Sequence, residues 1–234
     1  MPLPRTRPPR PLDLTEAHIA RVARPVADPG PSQRFARLTD QDFETLAAQM
    51  LALNTGNPFW VFAYGSLIWK PAFDHVEARA SIAHGWRRSF CINLIDWRGT
   101  PEVPGLMLAL DRGGACAGVA YRMPDDDPHR RMVRLLKREI STEVDIPALR
   151  WLTVRAGGER FRAFTFYCTP ESDPDLVRLP HATQAARIAR AVGHGGSCAE
   201  YLRNTVAHLE ALGIRDSYLW RMQAMVAAEI DALP

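Results

Sequence analysis

Phe59-Trp60-Val61-Phe62-Ala63-Tyr64-Gly65-Ser66-Leu67 is the stretch that decides the fold. Residues 59–64 form a short apolar and aromatic run, which predicts a buried strand ending at Gly65. A glycine directly after a buried strand lets the backbone turn sharply and lets a ligand come close to it. Successive N–H groups in such a turn can form a nest for an anion, and a carboxylate or developing oxyanion suits it. The same residues also make an ordinary strand-ending turn, and spacing alone does not separate the two. Ser66 does not sit in a nucleophile elbow, because G-x-S-x-G needs glycines where Tyr64 and Ile68 stand. The segment also lacks the G-x-x-x-x-G-K-[ST] pattern of a phosphate-binding loop.

Upstream, Thr39 with Asp42 three residues on predicts a capped helix start. Phe43, Leu46, Ala47, Met50 and Leu51 continue it at helical spacing, and Asn54-Thr55-Gly56 ends it. Downstream, residues 78–84, 86–95, 106–110 and 115–123 read as strands separated by Gly and Pro. A helix follows from Asp127 or Pro128 to about Ile140. Residues 149–155 and 160–167 then form a hairpin around Gly157-Gly158. Helices over 183–192, 198–212 and 217–233 complete the chain, with Gly213 capping the second. Strands crowd the middle and helices the end. That order predicts an α+β fold with a mixed or barrel-like sheet, not a doubly wound one.

The helix after Asp127 carries the other candidate. Met132, Leu135, Leu136 and Ile140 define its apolar face, and at about 100° per residue Glu139 falls near the middle of that face. Arg134, Lys137 and Arg138 are expected to point away. A glutamate is seldom buried unless paired or functional. Desolvation raises a carboxyl pKa, which suits a general acid/base. A glutamate at a helix end paired with an arginine is the alternative. Tyr201, early in a helix, is placed to reach a ligand or to fill the core. Arg98, in a loop between strands, is a bidentate carboxylate binder or a surface arginine. Phe161, Phe164 and Phe166 read as core.

With 234 residues, 47% of them hydrophobic, the chain has material for one sizeable core. No apolar run approaches the ~20 residues that span a bilayer, and no apolar segment follows the basic start as in a secretory signal. Cys91, Cys116, Cys168 and Cys198 are widely spaced and read as reduced, mostly buried thiols of a cytoplasmic protein. The histidines form no metal-binding pattern, and Gly193-His194-Gly195-Gly196 reads as a turn. Seven arginines against three acids in residues 1–37 carry more than the whole net charge of +3, so the rest of the chain is slightly negative. That body lacks the basic footprint of a nucleic-acid binder. Eight of the nineteen prolines lie in residues 1–31. Residues 1–38 are therefore expected to be a Pro/Arg-rich, solvated extension with a short helix over 14–23, preceding one catalytic domain over 39–234.

The chain resembles the ChaC-type gamma-glutamylcyclotransferases, the glutathione-degrading branch. The likeness is carried by Trp60 to Lys70, Arg98-Gly99-Thr100, Pro104-Gly105, Gly118-Val119-Ala120-Tyr121-Arg122, Leu135-Leu136-Lys137-Arg138-Glu139, and 193–202 ending in Glu200-Tyr201-Leu202. It implies a compact β-barrel surrounded by helices, a lyase with no metal and no organic cofactor, and a small-molecule substrate. Nucleic acid and membrane are not expected as partners. The implied reaction cleaves glutathione to 5-oxoproline and Cys-Gly by attack of the glutamyl α-amine, with Glu139 as general acid/base. Val61, Phe62, Ala63, Tyr64, Gly65, Ser66 and Leu67 would line the substrate site, with Arg98 and Tyr201 as further substrate-binding residues.

The chain leaves the family pattern at three places. Ala63 stands where the family usually has glycine. Ile140-Ser141-Thr142-Glu143-Val144-Asp145 replaces a stretch that often holds a Gly and a Tyr. The Pro/Arg-rich start falls outside the likeness. Two other roles stay open: a cyclotransferase for other gamma-glutamyl amines or dipeptides, and a non-enzymatic regulator of cation transport.

Overall fold

The computed structural model describes residues 8–54, 58–71, 73–168 and 174–234. Thr55 and Gly56, expected at the end of a helix, lie outside these residues, as do Arg5 and Arg7 of the basic start. Two compact units are present. One takes its described residues from Gln33–Arg87 and Asp111–Pro174, the other from Pro4–Ser32, Arg88–Leu110 and Asp175–Pro234.

The fold is α+β around a closed five-stranded barrel. Strands β1 (Trp60–Ala63), β2 (Glu77–Leu94), β3 (Gly105–Arg122), β4 (Leu149–Ala156) and β5 (Glu159–Phe166) run in the order β1-β3-β2-β4-β5. The sheet is mixed. β1 pairs antiparallel with β3, from Trp60↔Arg122 to Ala63↔Val119, and parallel with β5 at Val61↔Phe164. Pairing on both sides explains why β1 is apolar at every position: Val61, Phe62 and Ala63 are fully buried. Phe164 and Phe166 are buried too, as expected of core. β4 and β5 meet through Ala156↔Glu159 across Gly157 (φ 55°) and Gly158 (φ 92°), the left-handed pair that a two-residue hairpin turn requires.

Two expected strand breaks are absent. Residues 78–84 and 86–95 are one strand through Gly85 (φ 83°), and 106–110 and 115–123 are one strand through Gly113 (φ 105°) and Gly114 (φ 76°). A left-handed glycine bends a strand as a bulge does, and pairing resumes beyond it. In sequence such a glycine looks the same as one that ends a strand.

The first unit also holds α2 (Asp40–Ala52) and α3 (Pro128–Glu139). Thr39 caps α2 through Asp42, whose Oδ2 accepts from the Thr39 backbone N–H and hydroxyl at 2.7 Å each. The second unit holds α1 (Glu16–Val22), α4 (His181–Arg190), the short hairpin β6 (Val192–Gly193) and β7 (Gly196–Ser197), α5 (Cys198–Ala211) and α6 (Ser217–Asp231). Gly213 (φ 72°) ends α5: its N–H reaches Glu210 O at 3.0 Å while Ile214 N–H reaches Leu209 O at 2.9 Å.

The basic start is not uniformly solvated. Leu14 is fully buried and donates its N–H to Gln223 Oε1 at 2.9 Å, while Gln223 Nε2 donates to Asp13 at 2.7 Å. Arg10 pairs with the buried Glu210 at 2.6 Å and lies 3.5 Å over the Trp220 ring. Arg21 donates to Leu233 O and Arg24 to Arg190 O. Composition concealed this, because the partners lie some two hundred residues away (|i−j| = 200 for Arg10 and Glu210).

Candidate active site

β1 delivers the candidate loop. After Ala63 the chain passes Tyr64 and Gly65 into a 3-10 turn, Ser66–Ile68, whose end is held by Ile68 N–H to Gly65 O (3.0 Å) and Lys70 N–H to Ser66 O (2.8 Å). The first amides of such a turn have no intrahelical acceptor. Among the described residues, the N–H groups of Ser66 and Leu67 have no hydrogen-bond partner. Gly65 and Leu67 are buried, and Tyr64 and Ser66 are half-buried. Among the described residues no histidine is hydrogen-bonded to Ser66, the arrangement that commonly activates a serine nucleophile.

Three residues that sequence reasoning missed hold this loop. The Thr165 hydroxyl donates to Phe62 O at 3.0 Å inside the barrel. The Tyr121 hydroxyl donates to Ile68 O at 3.4 Å, and burial pushes its pKa up. Gly118 lets β3 approach β1: a Cβ there would run into the Ala63 carbonyl and stand 2.8 Å from the Phe62 ring. A glycine inside an otherwise apolar strand was the available signal for close backbone approach.

α3 delivers Glu139 as its last residue. Asp127, in a left-handed conformation (φ 48°), caps the start by accepting from Arg130 N–H at 3.2 Å, with Pro128 in the first turn. Met132, Val133, Leu135 and Leu136 are buried, and Glu139 shares the face of Met132, Leu135 and Leu136. Its side chain is 18% exposed. Burial pushes its carboxyl above the ordinary carboxylate range, and the Arg138 guanidinium acts against that shift. Arg134 and Lys137 point outward as expected, but Arg138 does not. It is half-buried, with Nε 2.9 Å from Glu139 Oε1. The burial and the arginine pair, weighed as alternatives on sequence, are both present.

The acids just after Glu139 have separate roles. Asp145 Oδ2 accepts from Ser141 N–H, Thr142 N–H and the Thr142 hydroxyl, all at 2.9 Å, and so caps its own 3-10 turn. Glu143 is exposed.

Arg98 and Tyr201 belong to the second unit, where they meet each other: the guanidinium lies 5.8 Å over the Tyr201 ring. Arg98 Nη1 donates to Ser197 O and to Glu200 Oε2, both at 2.7 Å, so part of the fork expected for a ligand carboxylate is already engaged. The preceding Trp97 has φ 24° and accepts from Gly195 N–H at 2.6 Å. A Cβ at Gly193 would strike the Trp97 carbonyl, so the glycine turn at 193–196 is built for contact with this loop. All four cysteines are buried and free, and burial lifts the Cys198 thiol to about 11. A thiol with so high a pKa is no nucleophile near neutral pH. Among the described residues no group of His, Cys, Asp and Glu could hold a metal ion, and no helix is long and apolar enough to cross a membrane.

The glutathione-specific gamma-glutamylcyclotransferase of Escherichia coli strain K12 is 35% identical over 181 residues, 77% of this chain and 78% of its own length. Gamma-glutamylcyclotransferase 2-1 of Arabidopsis thaliana is 45% identical over 180 residues, 74% of this chain and 83% of its own. A solved gamma-glutamyl cyclotransferase from yeast, described as specific to glutathione, has a TM-score of 0.65 at 21% identity, covering 74% of this chain and 97% of that one. At that identity the likeness speaks for the fold, and it agrees with the barrel. The family profile described as ChaC-like protein matches residues 59–229, a span that contains β1, its loop and Glu139, and the chain belongs to that family.

Proposed function

We propose that the protein is a gamma-glutamylcyclotransferase, a carbon–nitrogen lyase of the amidine-lyase type, that cleaves glutathione to 5-oxoproline and Cys-Gly. The observation that carries this reading is Glu139: a carboxylate on an apolar helix face, with its pKa raised by burial. Membership of the ChaC-like family and the relatives named as glutathione-specific support the substrate. Four free, buried thiols fit a reducing, cytoplasmic setting.

The loop 61–67 holds the gamma-glutamyl group, with the amides of Ser66 and Leu67 toward its carbonyl or α-carboxylate. Glu139 takes a proton from the substrate's α-ammonium. The freed amine attacks the γ-carbonyl of the same molecule, so the new C–N bond closes a five-membered ring. The amide C–N bond then breaks. The two protons shed by the attacking nitrogen end on the leaving nitrogen, by way of Glu139, and no water is consumed. Joining nucleophile and electrophile in one molecule supplies several kcal/mol of the barrier reduction. A positioned amide donor adds ~3 kcal/mol, and one acid/base group about 10²–10⁴-fold.

The test is incubation of the protein with reduced glutathione, with 5-oxoproline and Cys-Gly measured together. Equal release of both is expected. Release from gamma-glutamyl-alanine but not from glutathione would move the substrate to another gamma-glutamyl amine. Release from neither would sink the reading.

A further inference from the structure

We infer that Arg138 is a positioning residue for Glu139, holding one carboxylate oxygen so that the other is presented to the reacting nitrogen. This rests on the reading of Glu139 as the acid/base group. The geometry is unusual for a helix. Neighbouring positions point about 100° apart, so adjacent side chains do not ordinarily pair. Here the pair forms at the last turn, where Ile140 leaves the helix with φ −131° and ψ 154°, and Arg138 Nε comes within 2.9 Å of Glu139 Oε1. Arg138 does not lie out in solvent: its side chain is 21% exposed, and Nη1 is buried with no hydrogen-bond partner among the described residues. A buried donor left unpaired is unfavourable, and a functional constraint is one reason a chain keeps it.

Several other charges on elements packed against α3 have partners of their own. Asp40 of α2 pairs with Lys137 at 2.7 Å, Asp42 with the Thr39 cap, and Glu44 with His129 at 3.4 Å. Asp145 is held by Ser141 and Thr142. Arg37 lies across a β-bridge from Thr142. Arg138 is the charge that acts on Glu139 against the effect of burial. Without it, the carboxyl would hold its proton to higher pH and be a poorer acceptor at neutral pH.

The experiment compares wild type with R138M and R138K. For R138M we expect kcat to fall roughly tenfold near pH 8 and further at lower pH, with KM changed less than about twofold, because Arg138 acts through Glu139. The acid limb of the kcat profile should move to higher pH in R138M and stay in place in R138K. An equal loss at every pH, a limb that moves as far in R138K as in R138M, or a loss confined to KM would overturn the assignment. If Met at 138 costs the fold, the Lys variant and a carbon NMR titration of the Glu139 carboxyl in R138Q carry the test. A titration midpoint not above that of wild type overturns the assignment, and this measurement needs no turnover. E139Q separates the two claims: full turnover there sinks the acid/base reading itself, whatever Arg138 does.

Discussion

The hydroxyl of Thr165 on β5 donates a 3.0 Å hydrogen bond to the carbonyl of Phe62 on β1, in the fully buried interior of the barrel. β1 and β5 are parallel neighbours here, paired at Val61↔Phe164. The bond therefore helps to hold the strand that carries the candidate loop. Thr165→Val keeps the shape and removes the donor. We expect a stability loss of about 1–3 kcal/mol, read as a lower urea midpoint with an unchanged slope.

Gly118 carries a steric demand. Gly118→Ala sets a methyl group against the Ala63 carbonyl and the Phe62 ring, where neither backbone nor packed aromatic can yield easily. Overpacking of this kind costs about 1–3 kcal/mol. Because Ala63 adjoins the loop, turnover should fall along with the melting temperature. A variant that melts as wild type does would contradict the close approach of β3 to β1.

Glu139→Gln should lower turnover by about 10²–10⁴-fold with KM little changed, measured by 5-oxoproline release. It should also change stability in a pH-dependent way. The folded pKa of Glu139 lies above the unfolded one, so its protonated form favours the folded state, and that contribution is lost as pH rises through the folded pKa. The Gln variant has no such loss. It should therefore melt higher than wild type at pH 8, with the gap closing as the pH falls into the ordinary carboxylate range.

Arg10→Ala tests the basic start. The hydrogen bond from Arg10 holds Glu210 below the ordinary carboxylate range, so that contribution is present above the unfolded pKa and lost as pH falls through the folded one. The variant should be less stable by about 2–4 kcal/mol at pH 7, from an abandoned buried carboxylate and a lost contact with Trp220. The deficit should shrink in acid. A variant as stable as wild type at pH 7 would show the Arg10 contacts with Glu210 and Trp220 to be dispensable.

Much of this was legible where the cause is local. The apolar run before Gly65, the cap at Thr39, the Gly157-Gly158 turn and the face that holds Glu139 depend on residues within one or two turns of each other. What sequence hid depends on distant partners. Gly85 and Gly113 read as breaks because only the neighbouring strand shows that pairing resumes. Asp145 read only as part of a departure from the family pattern, because its three donors become visible only when the turn is built. Arg138 read as solvent-facing because helical spacing gives the direction in which a side chain leaves the helix, not where a long one ends.

The docking of Leu14 on Gln223 has a consequence for the order of events during synthesis. The two are separated by 209 positions, and the Arg10–Glu210 pair by 200. A stretch made early must therefore wait, without its partners, until α5 and α6 have been made. Closing so long a loop is slow, because its entropy must be met before the contacts form. The second unit can be completed only late, by a segment that precedes the family-matched region altogether. A chain trimmed to residues 59–229 would keep both candidate site elements and leave Gln223 and Glu210 without the groups that cover them.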